Sequence, residues 1–298
     1  MELIGSFEEA RALRAGSVGL VPTMGFLHEG HLSLLESARR ENDTVMMTLY
    51  VNPLQFGERA DLDRYPRDLD RDLELAGVAG VDVMFAPSAD VMFAAEPATR
   101  VALPTLAATM EGIHRPGHFE GVATVVTKLL AGLQPDRVYF GRKDAQQLAI
   151  VKRLVADLSF PVEIVGCPVV RESDGLALSS RNVFLDDDDR EAGLALSRGL
   201  FAAADLAEAG ERRAMSLAAE ALAAMTDAVG LEPDYAELAA QRDVAPLSML
   251  DRPAFLAVAA HIGNVRLIDS VHFDLVGDGV DADRGVRLER ASTLYGPT

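Results

Sequence analysis

The sequence predicts an α/β fold: a parallel sheet with helices on both faces, followed by a smaller α+β domain. Two observations predict it. In the first half, short apolar and β-branched runs alternate with segments of helical periodicity, the pattern of strand–helix–strand units. After about Asn182 the composition shifts to Ala-rich helical sequence followed by strand-like runs, which is an α+β order. The expected division is residues 1–171 and 172–298.

The elements follow in order. Val18 to Val21 is a strand that leaves through Pro22-Thr23-Met24-Gly25. From His31 to Asn42 the period becomes helical, with Leu32, Leu35 and Ala38 on one stripe. Thr44 to Val51 reads as a buried strand, Arg67 to Val78 as an amphipathic helix and Val81 to Ala86 as another strand. Pro87 to Pro116 is less regular. Gly121 to Leu133 is helical, Val138 to Phe140 a strand, Asp144 to Leu158 a helix and Val162 to Gly166 a strand. Two helices then cover roughly Arg190 to Gly210 and Arg212 to Val229, where Leu and Met recur at helical spacing among good helix formers. Ala254 to His261 and Val265 to Val271 are strands. The Asp186–Asp189 run reads as acidic residues favoured at a helix N-terminus more readily than as a cation site. The polar, Gly- and Asp-rich tail after Gly277 reads as partly disordered.

Composition narrows the functions. With 298 residues, 49% hydrophobic, the chain can bury a core. Acidic residues number 46 against 28 basic, a formal net charge of -18, which opposes nucleic acid and anionic lipid as partners. An anionic substrate therefore needs a local nest of cations. Cys167 is the only cysteine, so no intrachain disulfide forms, and a reducing cytoplasm is the expected setting. The opening residues lack a basic and an apolar region of the signal-peptide kind, and no run approaches the roughly 18 apolar residues of a membrane span. A soluble cytoplasmic protein is expected.

Three clusters carry chemistry. His28-Glu29-Gly30-His31 follows the first strand of the alternating series, and ligands bind at the carboxyl ends of strands in open parallel sheets. A helix beginning near Gly30 would aim unpaired N–H groups at a phosphate, with both histidines on one side of the turn. Zinc is a poor rival: the zincin arrangement needs histidines four apart, and here they are three apart with no third ligand following. Gly141-Arg142-Lys143-Asp144, with Gln146 and Gln147 beyond, also ends a strand and opens a helix. Lys143 there opposes the helix dipole, a misplacement that a functional lysine tolerates, whereas Asp144 reads equally as a helix cap or a ribose ligand. Leu178-Ser179-Ser180-Arg181-Asn182 supplies two hydroxyls and a guanidinium, an oxyanion clamp, although a plain Ser/Asp/Gly turn fits the same letters. Gln55, in Asn52-Pro53-Leu54-Gln55-Phe56-Gly57, and Gln147 offer uncharged amides for a carboxylate and hydroxyls. The sequence has no P-loop, no Gly-x-Gly-x-x-Gly after the first strand and no Gly-x-Ser-x-Gly elbow. Phosphate handling by His, Lys and Ser/Arg without a P-loop points to attack at the α-phosphate of ATP with diphosphate leaving.

These motifs give a specific resemblance. Pro22 to His31, Asn52 to Gly57, Arg115-Pro116-Gly117-His118-Phe119 with Gly121 to Val126, Lys143-Asp144 with Gln146-Gln147, and Ser179 to Asn182 resemble, in order, the motifs of pantoate–β-alanine ligases. Arg266-Leu267-Ile268-Asp269 resembles the late strand of that family. The resemblance implies a Rossmann-like, nucleotidyltransferase-like N-terminal domain binding ATP and pantoate, a small C-terminal lid and a homodimer. It also implies ATP with Mg²⁺, and pantoate and β-alanine as the acids joined. Carried over residue by residue, His28 and His31 contact the ATP phosphates, with His31 the proton donor. Lys143 binds phosphate, Gly141 and Asp144 the ribose side, and Val170 the adenine through its backbone. Leu178, Ser179, Ser180 and Arg181 hold the triphosphate, while Met24, Gln55 and Gln147 line the pantoate pocket, Met24 also touching ATP and Gln55 also near β-alanine. His28, His31, Lys143 and Arg181 are the catalytic set, and no direct protein ligand to the metal is expected. Arg142 stands where the family commonly has Glu, and Ala145 where an aromatic is common. The rival readings are another non-P-loop nucleotidyltransferase or carboxylate-adenylating ligase, a non-catalytic nucleotide-binding module, and a Rossmann oxidoreductase, which lacks its glycine fingerprint here.

Overall fold

The protein is described by a computed structural model covering residues 1–57, 59–93 and 98–295. Its strands are β1 (Glu2–Ile4), β2 (Val18–Thr23), β3 (Thr44–Leu49), β4 (Val83–Phe85), β5 (Arg137–Gly141), β6 (Glu163–Cys167), β7 (Val170–Arg171), β8 (Leu231–Ala240), β9 (Ala254–Ile262), β10 (Val265–Val276), β11 (Gly279–Asp283) and β12 (Val286–Arg287). The helices are α1 (Phe7–Ala12), α2 (Glu29–Glu41), α3 (Arg59–Arg64), α4 (Leu69–Val78), α5 (Ala89–Met92), α6 (Glu111–His114), α7 (His118–Leu133), α8 (Ala145–Asp157), α9 (Asp187–Glu208) and α10 (Ala214–Thr226).

The chain divides into two compact units. The first comprises Met1–Leu27, His31–Phe140 and Ile150–Cys167; the second takes His28–Gly30, Gly141–Ala149 and the residues from Pro168 onward. In the first unit six strands lie in the order β1-β4-β3-β2-β5-β6. The β1–β4, β4–β3, β3–β2 and β2–β5 pairs run parallel. Strands buried on both faces should read as continuous apolar runs, and they do: Val45, Met46, Met47, Met84 and Phe85 are fully buried. The chain leaves β2 toward β3 and β4, then returns to β2's other side with β5, so strand order reverses at β2. That makes the carboxyl end of β2 a topological switch point, the place where doubly wound sheets put their ligands.

The second unit holds a four-stranded antiparallel sheet in the order β11-β10-β9-β8. Helix α9 packs on β9 and β10, and α10 packs on α9 and β8. Leu196, Leu200, Leu217, Leu256, Val258 and Phe273 lie in their shared core. The Asp run opens α9 as the dipole argument expects: Asp186 is the N-cap and its carboxylate accepts the Asp189 N–H at 2.8 Å. The expectation of a disordered tail is corrected. Gly279–Asp283 forms β11 in register with His272–Val276, and Val286–Arg287 pairs in parallel with Val170–Arg171. Backbone pairing holds this polar segment, which an apolarity pattern does not register.

Candidate active site

The first unit assembles one cluster at the ends of β2 and β3. Met24 and Gln55 follow these strands, and the Gln55 Nε2 donates to the Met24 Sδ at 3.3 Å. Asn52, buried, orients the glutamine: its Nδ2 donates to Gln55 Oε1 at 3.0 Å and to the Gly121 carbonyl at 3.1 Å. From the other side His118 Nδ1 bonds the Gln55 carbonyl at 2.9 Å, and Arg115 Nη1 approaches His118 Nε2 at 3.3 Å. A carbonyl only accepts and a guanidinium only donates, so His118 carries its proton on Nδ1 and presents Nε2 as acceptor. The turn at Pro53–Gln55 and helix α7 touch backbone to backbone. A Cβ on Gly121 would lie 2.2 Å from the Leu54 carbonyl oxygen, so only glycine permits the approach.

The loop between β2 and α2 is held by a buried carboxylate. Asp72 accepts the Phe26 N–H at 2.8 Å and the Leu27 N–H at 2.7 Å, fixing Phe26 at φ 54. Burial pushes the Asp72 pKa up against these two bonds, so holding the loop costs desolvation of a carboxylate. His31 lies in the first turn of α2, half-buried.

In the second unit His28, Lys143, Val170 and Ser179 gather about Leu178. Its carbonyl accepts from Lys143 Nζ at 3.1 Å, and its N–H donates to the Val170 carbonyl at 2.9 Å. A Cβ built on Gly30 would lie 3.9 Å from the Leu178 Cβ and 2.8 Å from the His28 ring, which folds over the glycine. The Gly30 N–H donates to His28 Nδ1 at 3.1 Å, so His28 keeps its proton on Nε2 and offers that nitrogen as a donor. Ser179 caps the short 3-10 turn Ser180–Phe184, its Oγ accepting the Arg181 N–H at 3.3 Å. The turn is anchored from beneath: Asn182 Nδ2 donates to Glu172 Oε1 at 3.0 Å, and Arg190 Nη2 to Glu172 Oε2 at 2.7 Å. Arg171 and Asp269, both fully buried, form a two-pronged pair at 2.6 and 3.0 Å.

Gly141 ends β5, Asp144 precedes α8 with its Oδ2 at 3.9 Å from Lys143 Nζ, and Gln147 is half-buried in the first turn of α8. Arg142, one of the two departures, pairs with Asp283 at 2.9 Å, while its carbonyl accepts from His272 Nε2 at 3.0 Å and from Ser270 Oγ at 2.9 Å. Ala145, the other, is buried. Thus the structure joins Met24 with Gln55 in one unit, and His28, Lys143, Val170, Leu178 and Ser179 in the other. The supporting roles of Asn52, Asp72, Arg115, His118 and Glu172 were not foreseen. Asn52, Arg115 and His118 did fall inside two of the family motifs, which was the available signal.

The family described as pantoate-beta-alanine ligase matches residues 2–272. The pantothenate synthetase of Roseiflexus castenholzii is 51% identical over 268 residues, covering 90% of this chain and 96% of that protein. That of Moorella thermoacetica is 48% identical over 268 residues, covering 90% and 95%. Among solved structures, pantothenate synthetase from Thermus thermophilus superposes with a TM-score of 0.86 at 46% identity, covering 91% of this chain and 98% of that one. The pantoate-beta-alanine ligase from Francisella tularensis, complexed with beta-gamma ATP and beta-alanine, gives 0.74 at 33% identity, covering 91% and 97%.

Proposed function

The chain belongs to the pantoate–β-alanine ligase family, and we propose that it joins (R)-pantoate and β-alanine to give pantothenate, consuming ATP through a pantoyl-adenylate. The observation that carries this reading is the convergence of His28, Lys143 and the Ser179–Arg181 turn on Leu178. Three segments distant in sequence supply an imidazole donor, an ammonium and a hydroxyl–guanidinium clamp, the groups a triphosphate needs where no P-loop exists.

In the first step a pantoate carboxylate oxygen attacks the α-phosphorus, the α–β phosphoanhydride bond breaks, and diphosphate leaves. Lys143, Arg181, His28 and His31 stabilise the charge growing on the phosphates, His28 through Nε2–H and His31 as proton donor. Leu178, Ser179 and Ser180 complete the triphosphate cradle, Gly141 and Asp144 hold the ribose, and the Val170 backbone meets the adenine. In the second step the free amine of β-alanine attacks the acyl carbon, AMP leaves, and the amine's proton passes to solvent. Met24, Gln55 and Gln147 hold pantoate, with Gln55 also beside β-alanine. Among the described residues no group of three or more His, Cys, Asp or Glu is placed to hold a metal ion. Mg²⁺ would come with ATP as its counterion and would offset charge on the phosphates alongside Lys143 and Arg181. Residues 1–171 serve ATP and pantoate, residues 172–298 act as the lid that keeps water from the adenylate, and the protein works as a cytoplasmic homodimer.

The test is product formation. AMP and pantothenate should appear in equal amounts only when ATP, pantoate and β-alanine are all present. AMP released with ATP alone, or with an unrelated acid in place of pantoate, overturns the reading.

A further inference from the structure

The segment following the family match ends in a contact with the nucleotide motif. Residues beyond 272 lie outside the family's matched span, yet Ser292 Oγ donates to Glu29 Oε2, and the Thr293 N–H donates to Glu29 Oε1 at 2.6 Å. Glu29 sits between His28 and Gly30 and is the first residue of α2. The contact is built from both sides. Ser292 is buried, its Oγ also accepts the Leu294 N–H at 3.1 Å, and Leu294 is buried in the short turn Thr293–Tyr295. Both carboxylate oxygens of Glu29 are thus taken by donors of the tail, within the second unit alone.

This arrangement answers an electrostatic difficulty. A carboxylate in the motif that faces a triphosphate repels it, and free rotation would also let it compete for the donor on His28 Nε2. Bonds from the tail keep Glu29 ionised and turned to Ser292 and Thr293: burial would raise its pKa, but these hydrogen bonds outweigh that and lower it. We propose that Ser292 and Thr293 are positioning residues of the ligase, a C-terminal clasp that holds the Glu29 carboxylate off the nucleotide phosphates so that His28 can donate to them. The proposal rests on the reading of His28 as a phosphate contact.

The experiment compares the full chain, a chain ending at Ala291 and Ser292→Ala, each with and without Glu29→Gln. In diphosphate–ATP exchange driven by pantoate, the shortened chain should show an ATP KM about tenfold higher, and Ser292→Ala a smaller rise, as when charged hydrogen bonds are lost. The pantoate KM should not move. Glu29→Gln should lower the ATP KM of the shortened chain, because it removes a released charge, and leave that of the full chain nearly unchanged, because there the charge is already held off the phosphates. An unchanged ATP KM in both clipped forms, an equal rise in both substrates' KM, or the same effect of Glu29→Gln at either length overturns the clasp. Ser292→Ala removes one hydroxyl and decides the matter should the shortened chain melt early. If the full chain fails to exchange with pantoate, the functional reading falls by itself. Calorimetric binding of a β,γ-nonhydrolysable ATP analogue then makes the same comparison, with the same deciding pattern.

Discussion

Replacing Gly121 by Ala should disturb the pantoate side of the site through the backbone alone. The added Cβ would stand 2.2 Å from the Leu54 oxygen, 2.4 Å from the Leu54 carbonyl carbon and 2.6 Å from the Gln55 nitrogen. These are backbone atoms and cannot rotate aside. Ordinary contact begins near 3.4 Å, so α7 and the Pro53–Gln55 turn must separate by about 1 Å. The separation stretches the Asn52 bond to the Gly121 carbonyl and the His118 bond to the Gln55 carbonyl, now 3.1 and 2.9 Å. Overpacking and two weakened bonds together cost about 2–5 kcal/mol. A shift of about 1 Å in a positioning group can cost up to about a hundredfold in rate, so the exchange kcat/KM for pantoate should fall by at least about tenfold. The ATP KM should hold. Gly57→Ala is the control, since no atom of the described residues lies within 4 Å of its added carbon. Urea unfolding and exchange kinetics measure both effects. A Gly121→Ala protein with wild-type stability and pantoate kinetics would refute the reasoning.

Three further outcomes are expected. Lys143→Ala should lower diphosphate exchange by at least about a hundredfold while costing only about 1 kcal/mol for the lost bond to Leu178, and near-normal exchange would remove Lys143 from the chemistry. Gln55→Ala should raise the pantoate KM far more than the ATP KM; an equal effect on both would take Gln55 out of the acid pocket. Burial holds His272 neutral, its pKa pushed from 6.5 down to about 4, so the unfolded chain binds the proton first as pH falls. Stability from this group is complete above pH 6.5 and is lost progressively toward pH 4, by about 3 kcal/mol. His272→Gln keeps an Nε donor for the Arg142 carbonyl and removes the titration, so its melting temperature should fall less over that range. Parallel melting curves against pH would contradict this.

What was legible in the sequence was whatever local pattern controls. Thr44 to Val51 reads as a strand because its β-branched and apolar side chains need burial on both faces, and Arg190 to Gly210 as a helix because its periodicity follows an acidic start; the structure has them at Thr44–Leu49 and Asp187–Glu208. Strand β8 was not legible, since Glu232, Pro233 and Asp234 interrupt any alternation and the register shifts there between Pro233 and Tyr235. The tail strands are polar and owe their order to backbone pairing with β10 and β7. In the site, Lys143 stood out because a strand end and a helix start frame it. The partners that hold Gln55 did not, because His118 lies 63 residues away in sequence, and the Glu29–Ser292 bond closes 263 residues. Contacts of that range follow from topology, which no local spacing encodes.

The most direct test of the central claim is diphosphate–ATP exchange in the absence of β-alanine. A carboxylate-adenylating ligase forms the acyl-adenylate reversibly before the amine binds. Labelled diphosphate should therefore enter ATP when pantoate is added, and not when β-alanine is added alone. Exchange that ignores pantoate, or that appears only once β-alanine is present, would contradict the adenylate account.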